Sequence, residues 1–460
     1  VTDNTDDAAP WYSGITRYQW LVLVIASLGW VFDVFEGQIF VASMNEAMKS
    51  LAPAGSTPGD IQFYNNISFG TFLVGGALGG VLFGMLADRW GRTRVMVYTI
   101  IVYSLFTCVS ALAQSWWHFA IFRFLVALGV GGEWAVASAL VAEVFPRRAR
   151  AWSLGIFHAS SVLGTMLAIA AGYFIVGNPA LQSEQYPSLP WRVGFLVGVL
   201  PALLIIWIRW SLKEPERPRQ SAASETKAGQ LSELFSGNLL RHTIIGVGLA
   251  AVGLATFWGV HIYGKDLMRA DAERMVFAEL AATGVQPVDA ESRSTALKPF
   301  TQRLKGAEMV GMLLVTIGGG FGLVSFGPLC DRLGRRAAFL LFHLGGLIVA
   351  LAVFRGLHEP AASTLYFVLP IFGYFTLGMH AGYAIYFPEL YPTRLRSTGA
   401  GFCFNVGRII AAPCLFASGW LQSSYGYTQP QAVSLLSLLY LVGVVLLLAA
   451  PETRGMELPE

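Results

Sequence analysis

Twelve apolar runs, each long enough to cross a bilayer as a helix, divide this chain of 460 residues. They cover residues 18 to 44, 64 to 87, 95 to 113, 117 to 144, 151 to 176, 191 to 211, 242 to 264, 307 to 330, 336 to 354, 362 to 387, 397 to 421 and 430 to 449. About 18 to 20 apolar residues suffice, because a helix satisfies every backbone group internally where lipid supplies no hydrogen-bond partner. Only 13% of the residues are charged, against roughly a quarter in soluble domains. The runs predict an all-α membrane protein with twelve transmembrane helices and the lipid bilayer as its solvent.

The charges predict its orientation. The first 16 residues are acidic and polar, unlike a cleavable signal peptide. With both termini on one side, that side collects nineteen Lys and Arg, whereas the short loops of the other side hold three, Lys49, Arg192 and Arg355. The positive-inside rule then puts both termini in the cytoplasm, with a bacterial inner membrane as the expected site. The net charge of +3 is spread over separate loops, so it marks topology and no nucleic-acid partner is expected. Cys108, Cys330, Cys403 and Cys414 lack CxxC spacing, which predicts inert thiols without a metal site. No Walker loop, metal-ligand cluster or serine-hydrolase motif is visible, so neither an enzyme nor a cofactor is expected.

The chain repeats itself. GMLADRWGRTRVM at 84 to 96 returns as GPLCDRLGRRAAF at 327 to 339, an offset of 243. EVFPRRAR at 143 to 150 returns as ELYPTRLR at 389 to 396, an offset of 246. A fixed large period marks repeated units. Residues 1–213 and 239–460 therefore read as two six-helix halves, with a cytoplasmic linker over 214–238 and an outer-face insertion over 266–305. G-x-x-x-D-R-x-G-R after runs two and eight, with E-x-x-P-x-R-x-R after runs four and ten, resembles the major facilitator superfamily of secondary transporters. The resemblance covers nearly the whole chain. It implies two pseudo-symmetric six-helix bundles around a cavity open alternately to each side, with a monomer as the working unit.

The repeated charges predict a cytoplasmic gate. Asp88 and Asp331 can accept backbone N–H groups at a helix start, where the helix dipole favours an anion. Arg89, Arg92, Arg332 and Arg335 carry planar forks suited to the carboxylates of Glu143 and Glu389. Arg150 and Arg396 close the second motif in each half. The same charges also serve topology and helix initiation, which leaves a purely structural role open.

Charges inside the runs are few, and each costs at least about 2.5 kcal/mol near the midplane, so it tends to face a cavity or a partner. Run one places Asp33 and Glu36 three residues apart on one helical face. Run four carries Arg123 and Glu133, the latter among Gly129, Gly131 and Gly132. An acid in an apolar, intermittently wet cavity can load and release a proton near neutrality. The GVGGEW stretch of run four is similar to that of organic acid and sugar acid proton symporters in the superfamily. Run one resembles an aromatic-acid symporter pattern, D-x-x-D, with Glu36 in place of the second Asp. These resemblances imply a proton-coupling group of Asp33, Glu36, Glu133 and Arg123. A structural ion pair between Arg123 and one of the acids is the alternative.

In the second half, Arg408 is the candidate anion contact, with Asn405 one turn away and His380 and His261 on neighbouring runs. Trp134, Trp258, Tyr383 and Tyr64 are candidate pocket-lining aromatics, although such residues also serve ordinary packing. The resulting expectation is proton-driven uptake of a small organic anion, such as a sugar acid or an aromatic carboxylate. Carriage of sugars, organic cations or drugs, and a non-transporting nutrient receptor, remain as alternatives. Run five lacks the G-P-x-x-G-G element of drug antiporters, which disfavours efflux of drugs.

Overall fold

A computed structural model describes residues 10–56, 58–176, 188–199, 207, 211, 229–284, 290–357 and 360–459, and all regular structure among them is helical. The long helices are α1 (Arg17–Leu51), α2 (Pro58–Trp90), α3 (Arg92–Ser110) and α4 (Trp116–Val144), followed by α5 (Arg147–Ala159), α6 (Ser161–Ala171) and the short α7 (Leu189–Leu196). The second set comprises α8 (Gly237–Gly259), α9 (Gly264–Ala282), α10 (Ala290–Leu297), α11 (Thr301–Leu333), α12 (Arg335–Leu351), α13 (Ala362–Gly378) and α14 (His380–Glu389). It ends with α15 (Arg396–Ala411), α16 (Cys414–Tyr425), α17 (Gln429–Ser437) and α18 (Leu439–Ala449). Eleven helical stretches among the described residues are long and apolar enough to span a membrane. The sixth expected run begins at α7, and most of its remainder lies outside the described residues, as do positions 214–228 of the expected linker and 285–289 of the insertion.

The hinge glycines explain one element boundary in each half. Gly91 separates α2 from α3 with φ 101°, and Gly334 separates α11 from α12 with φ 94°. Both occupy the last Gly of the repeated motif, in a conformation that a Cβ disfavours.

Close helix seams follow the same repeat. A Cβ on Gly79 of α2 would lie 1.9 Å from the Leu128 carbonyl of α4, and one on Gly322 of α11 would lie 2.2 Å from the Tyr374 carbonyl of α13. Small residues let backbones approach where lipid removes the usual hydrophobic drive to associate. The two helix sets meet along α2 against α15 and α5 against α11. There Gly84 abuts the Ser397 carbonyl and Gly327 abuts the Ala151 carbonyl, again 243 and 246 residues apart.

The described residues of the insertion are largely helical. Helix α9 extends the run of α8, and its Lys265 and Arg269 both bind Glu308 at the start of α11. Asp271 accepts from the backbone N–H of Ala362 at 3.1 Å and so caps α13.

Candidate translocation site and gate

The interior acids converge on one level of the first helix set. Asp33 and Glu36 of α1 and Glu133 and Arg123 of α4 are all buried, at 1% exposure or less. Arg123 donates to Glu36 at 2.5 Å and to the Ser110 hydroxyl at 2.6 Å, and its guanidinium sits 4.6 Å from the centre of the Phe195 ring. Arg123 therefore pairs with Glu36 and is held on several sides. Glu133 accepts from Thr99 of α3 at 2.5 Å through one oxygen, while its other oxygen lies where a Gly29 Cβ would stand, 2.6 Å away. Both carboxylate oxygens of Asp33 lack a hydrogen-bond partner among the described residues.

Facing them from the second set is Arg408 of α15. Its guanidinium lies 5.2 Å from the centre of the Phe404 ring, within electrostatic range of Asp33. Arg408 is half-buried and forms no side-chain hydrogen bond or ion pair among the described residues. Phe404 stacks on Trp134 of α4 at 4.2 Å between centroids, so an aromatic pair from opposite helix sets lies beside this cation. Trp134 donates its indole N–H to Nδ1 of His158 at 3.2 Å. Asn405 bonds Gly401 of its own helix and Gly131 of α4, at 2.9 and 3.4 Å, tying the two sets together.

The remaining candidates divide between this centre and its flanks. His380 and His261 both face Phe257, and His261 also contacts the Thr376 hydroxyl at 2.7 Å. Trp258 meets Phe69 of α2 edge-on, another contact between the sets. The Tyr383 hydroxyl donates to the Leu249 carbonyl at 3.0 Å, and its ring stacks on Phe387. Tyr64 stands apart, stacked on Trp116 at the start of α4, away from the acids.

At the hinge end the repeated charges are linked to the opposite set, in part through its backbone. Asp88 pairs with Arg92 at 2.9 Å and accepts from the Ser397 N–H, the Thr398 N–H and the Thr398 hydroxyl, at 3.2, 2.7 and 2.6 Å. It thereby satisfies free donors in the first turn of α15. Glu143 accepts from Arg92 at 2.9 Å and from Arg396 of the other set at 2.8 Å. The partner motif behaves differently. Arg335 binds Glu389 bidentately, at 2.6 and 3.0 Å, and reaches Asp331 at 3.3 Å, so these bonds stay within the second set. Arg150 donates to the Ala142 carbonyl, as Arg396 does to Pro388 one repeat later. Arg89 and Arg332 are exposed.

Two parts of this arrangement escaped the sequence reading. One is the polar face of α3, where Thr99, Tyr103 and Thr107 recur every fourth residue and point at the acids; that spacing was legible in YTIIVYSLFT. The other is the C-terminal segment. Glu452 accepts from the N–H groups of Arg335 and Arg336, Thr453 donates to Glu389, and the Pro459 carbonyl accepts from Arg396. No local pattern marked it.

Buried acids and a half-buried cation, enclosed by membrane-spanning helices from two repeat-related sets, define a multi-pass transporter of small solutes. A family model described as Major Facilitator Superfamily matches residues 20–412, and the chain belongs to that family. It is 29% identical to a protein of Cupriavidus pinatubonensis described as a probable 4-methylmuconolactone transporter, over 97% of this chain and 94% of that one. It is also 29% identical to the niacin transporter of Acinetobacter baylyi, over 96% of each. Among solved structures, the proton:xylose symporter XylE aligns with a TM-score of 0.73 at 16% identity, over 96% of this chain and 98% of that one, which shows a shared fold.

Proposed function

We propose that this protein takes up a small organic anion, a planar or unsaturated carboxylate, in symport with protons. The observation that carries the reading is Arg408, a half-buried guanidinium that among the described residues has no anionic hydrogen-bond partner, set beside the Trp134–Phe404 stack and facing Asp33, whose carboxylate oxygens are likewise unpartnered among those residues. A guanidinium fork matches a carboxylate, and the aromatic pair suits a flat solute body. Two relatives are described as carriers of 4-methylmuconolactone and niacin, which supports a carboxylated solute. Asp33 and Glu133 are the proton-coupling acids, and Glu36 with Arg123 forms a fixed pair beside them. The hinge charges close the cytoplasmic gate and release it when the cavity opens inward. In this reading residues 1–213 and 239–460 are the two bundles, 214–238 the cytoplasmic linker, both termini are cytoplasmic, and a monomer in a bacterial inner membrane does the work.

The test is a thermal-shift panel of carboxylates, neutral sugars and organic cations on the purified protein, followed by uptake in proteoliposomes under an imposed pH gradient. A ligand that binds the folded state raises its melting temperature by mass action. Carboxylates are expected to stabilise the wild type and to lose that effect in Arg408→Ala. Glu133→Gln is expected to lose gradient-driven accumulation while keeping solute exchange. Stabilisation by cations alone would overturn the anion assignment, because the unpartnered Asp33 would then be the solute contact. Binding without flux would leave a receptor.

A further inference from the structure

Helix α3 places three hydroxyl groups against the buried charges, and each also bonds its own backbone. Thr99 contacts Glu133 at 2.5 Å and the Met96 carbonyl at 2.8 Å. Thr107 contacts Glu36 at 2.9 Å and the Tyr103 carbonyl at 2.7 Å. Ser110 contacts Arg123 at 2.6 Å and the Phe106 carbonyl at 2.7 Å. For Ser110 the two bonds are compatible, because Arg123 donates and the hydroxyl hydrogen remains for Phe106. For the threonines they compete. A hydroxyl has one hydrogen, and a carboxylate and a carbonyl are both acceptors.

The competition disappears when the acid is protonated. A neutral Glu133 donates its proton to the Thr99 oxygen, and the Thr99 hydrogen then satisfies Met96. When Glu133 ionises, the Thr99 hydrogen turns to the carboxylate, and Met96 keeps only its helical bond. We propose that Thr99 is a positioning residue for proton coupling: it holds Glu133 in one place in both protonation states by reversing the direction of a single hydrogen bond. Thr107 stands in the same relation to Glu36, with the difference that Arg123 keeps Glu36 paired. The inference rests on the proton-coupled reading above and adds to it the residue that makes the acid's two states interchangeable without moving the helix.

The charged surroundings of Glu133 are limited. Helix α1 brings Asp33 and Glu36, and α3 brings Tyr103, whose buried hydroxyl has no hydrogen-bond partner among the described residues. Arg123 on α4 itself is spoken for by Glu36. Arg408 of α15 faces Asp33, while His158 of α5 is engaged by Trp134 and His380 of α14 lies beside Phe257. Helix α2 contributes Gly76 and Phe83 at this level.

The test compares Thr99→Val, Thr99→Ser and Thr99→Cys in proteoliposomes, reading gradient-driven uptake against pH and, separately, solute exchange without a gradient. Removing the hydroxyl costs the ionised acid a charge-assisted bond and the neutral acid a weaker one, so the protonated form gains. Thr99→Val is expected to move the midpoint of the uptake profile upward by about one pH unit and to lower accumulation about tenfold, with exchange retained. Thr99→Ser restores the wild-type profile, and Thr99→Cys, whose thiol is a weak partner of similar size, shifts it in the same direction as valine if the valine variant does not fold. Ser138→Ala removes a buried hydroxyl that donates to its own helix at Ala135 and, among the described residues, touches none of the acids; it serves as the control. A wild-type profile in Thr99→Val, or in Thr99→Cys where that variant stands in, overturns the proposal. Equal loss of uptake and exchange with no shift in midpoint also overturns it, since that is the mark of a purely structural role. Glu133→Gln separates the two levels: if it accumulates solute normally, the assignment of Glu133 as a coupling acid falls and the role of Thr99 with it; if it does not while Thr99→Val is unchanged, only the role of Thr99 falls.

Discussion

Single residues carry the constraints that the repeat preserves. Gly91 adopts φ 101° and ψ 150° at the α2–α3 hinge, a region essentially reserved for glycine, and an L side chain there costs roughly 1–3 kcal/mol. Gly91→Ala is expected to lower the melting temperature of the detergent-solubilised protein and to leave solute-induced stabilisation in place; an unchanged melting temperature would show that the hinge relaxes freely. At the opposite extreme, Arg123 is committed to Glu36 and Ser110 and packed against Phe195, Phe40 and Phe119. Removing one partner of a buried pair leaves an uncompensated charge and costs about 3–5 kcal/mol. Arg123→Leu should therefore be poorly folded, and the double variant Arg123→Leu with Glu36→Leu should regain much of the loss, as measured by the yield of monodisperse protein. The sequence exposed these residue types because ionisable groups within apolar runs are rare. It left open which acid Arg123 would choose, since Asp33, Glu36 and Glu133 all lie on helices that reach it.

Elements explain why a symmetric motif yields an unsymmetric set of bonds. Gly84, Asp88 and Arg92 recur as Gly327, Asp331 and Arg335, and the internal bonds recur with them: Arg92 donates to Ala87 as Arg335 does to Cys330. Across the interface the symmetry fails. Asp88 caps α15, whereas Asp331 stays with Arg335, and Glu143 binds Arg396, whereas Glu389 binds Arg335 and Thr453. Asp88→Asn should therefore loosen the start of α15 much more than Asp331→Asn does, because only Asp88 bonds that helix. Cys403, buried in α15 and bonded to Tyr391, reports on this. Its labelling by a maleimide, resolved by mass spectrometry, is expected to rise several-fold in Asp88→Asn and hardly at all in Asp331→Asn. Equal labelling in both would show that this bonding is shared evenly.

At the scale of the whole molecule, the C-terminal segment joins what the sequence presented as separate motifs. Burial pushes the Glu452 carboxyl up, but the backbone N–H groups of Arg335, Arg336 and Arg454 and the charge of Arg335 outweigh it and hold the group below its ordinary value of 4.5. A depressed value means that the contribution of this cap is complete above about pH 4.5 and is lost as pH falls through the lower, folded-state value. Hydrogen exchange across residues 451–459 should therefore be strongly protected at neutral pH, and the protection relative to the intrinsic rate at the same pH should fall as pH drops below about 4.5. Glu452→Gln is expected to show the weaker protection already at neutral pH. A segment that exchanges equally fast in both proteins at neutral pH would remove Glu452 from this set of bonds.

The sequence by itself determined the membrane solvent, the helical class, the twofold repeat and most of the charged positions, because these follow from run length, hydropathy and motif spacing, each a property of neighbours along the chain. It also placed Asp33, Glu133 and Arg408 among the interior charges. Only the tertiary structure decided the pairings: Arg123 with Glu36, Asp88 with the backbone of α15, Thr99 with Glu133, and Tyr64 with Trp116 away from the centre. The reason is physical. A hydrogen bond depends on separations of tenths of an ångström between helices far apart in the chain, and small residues such as Gly79 and Gly322 set how near those helices come. Periodicity reveals which face of a helix is polar, but the partner across the seam is chosen by packing.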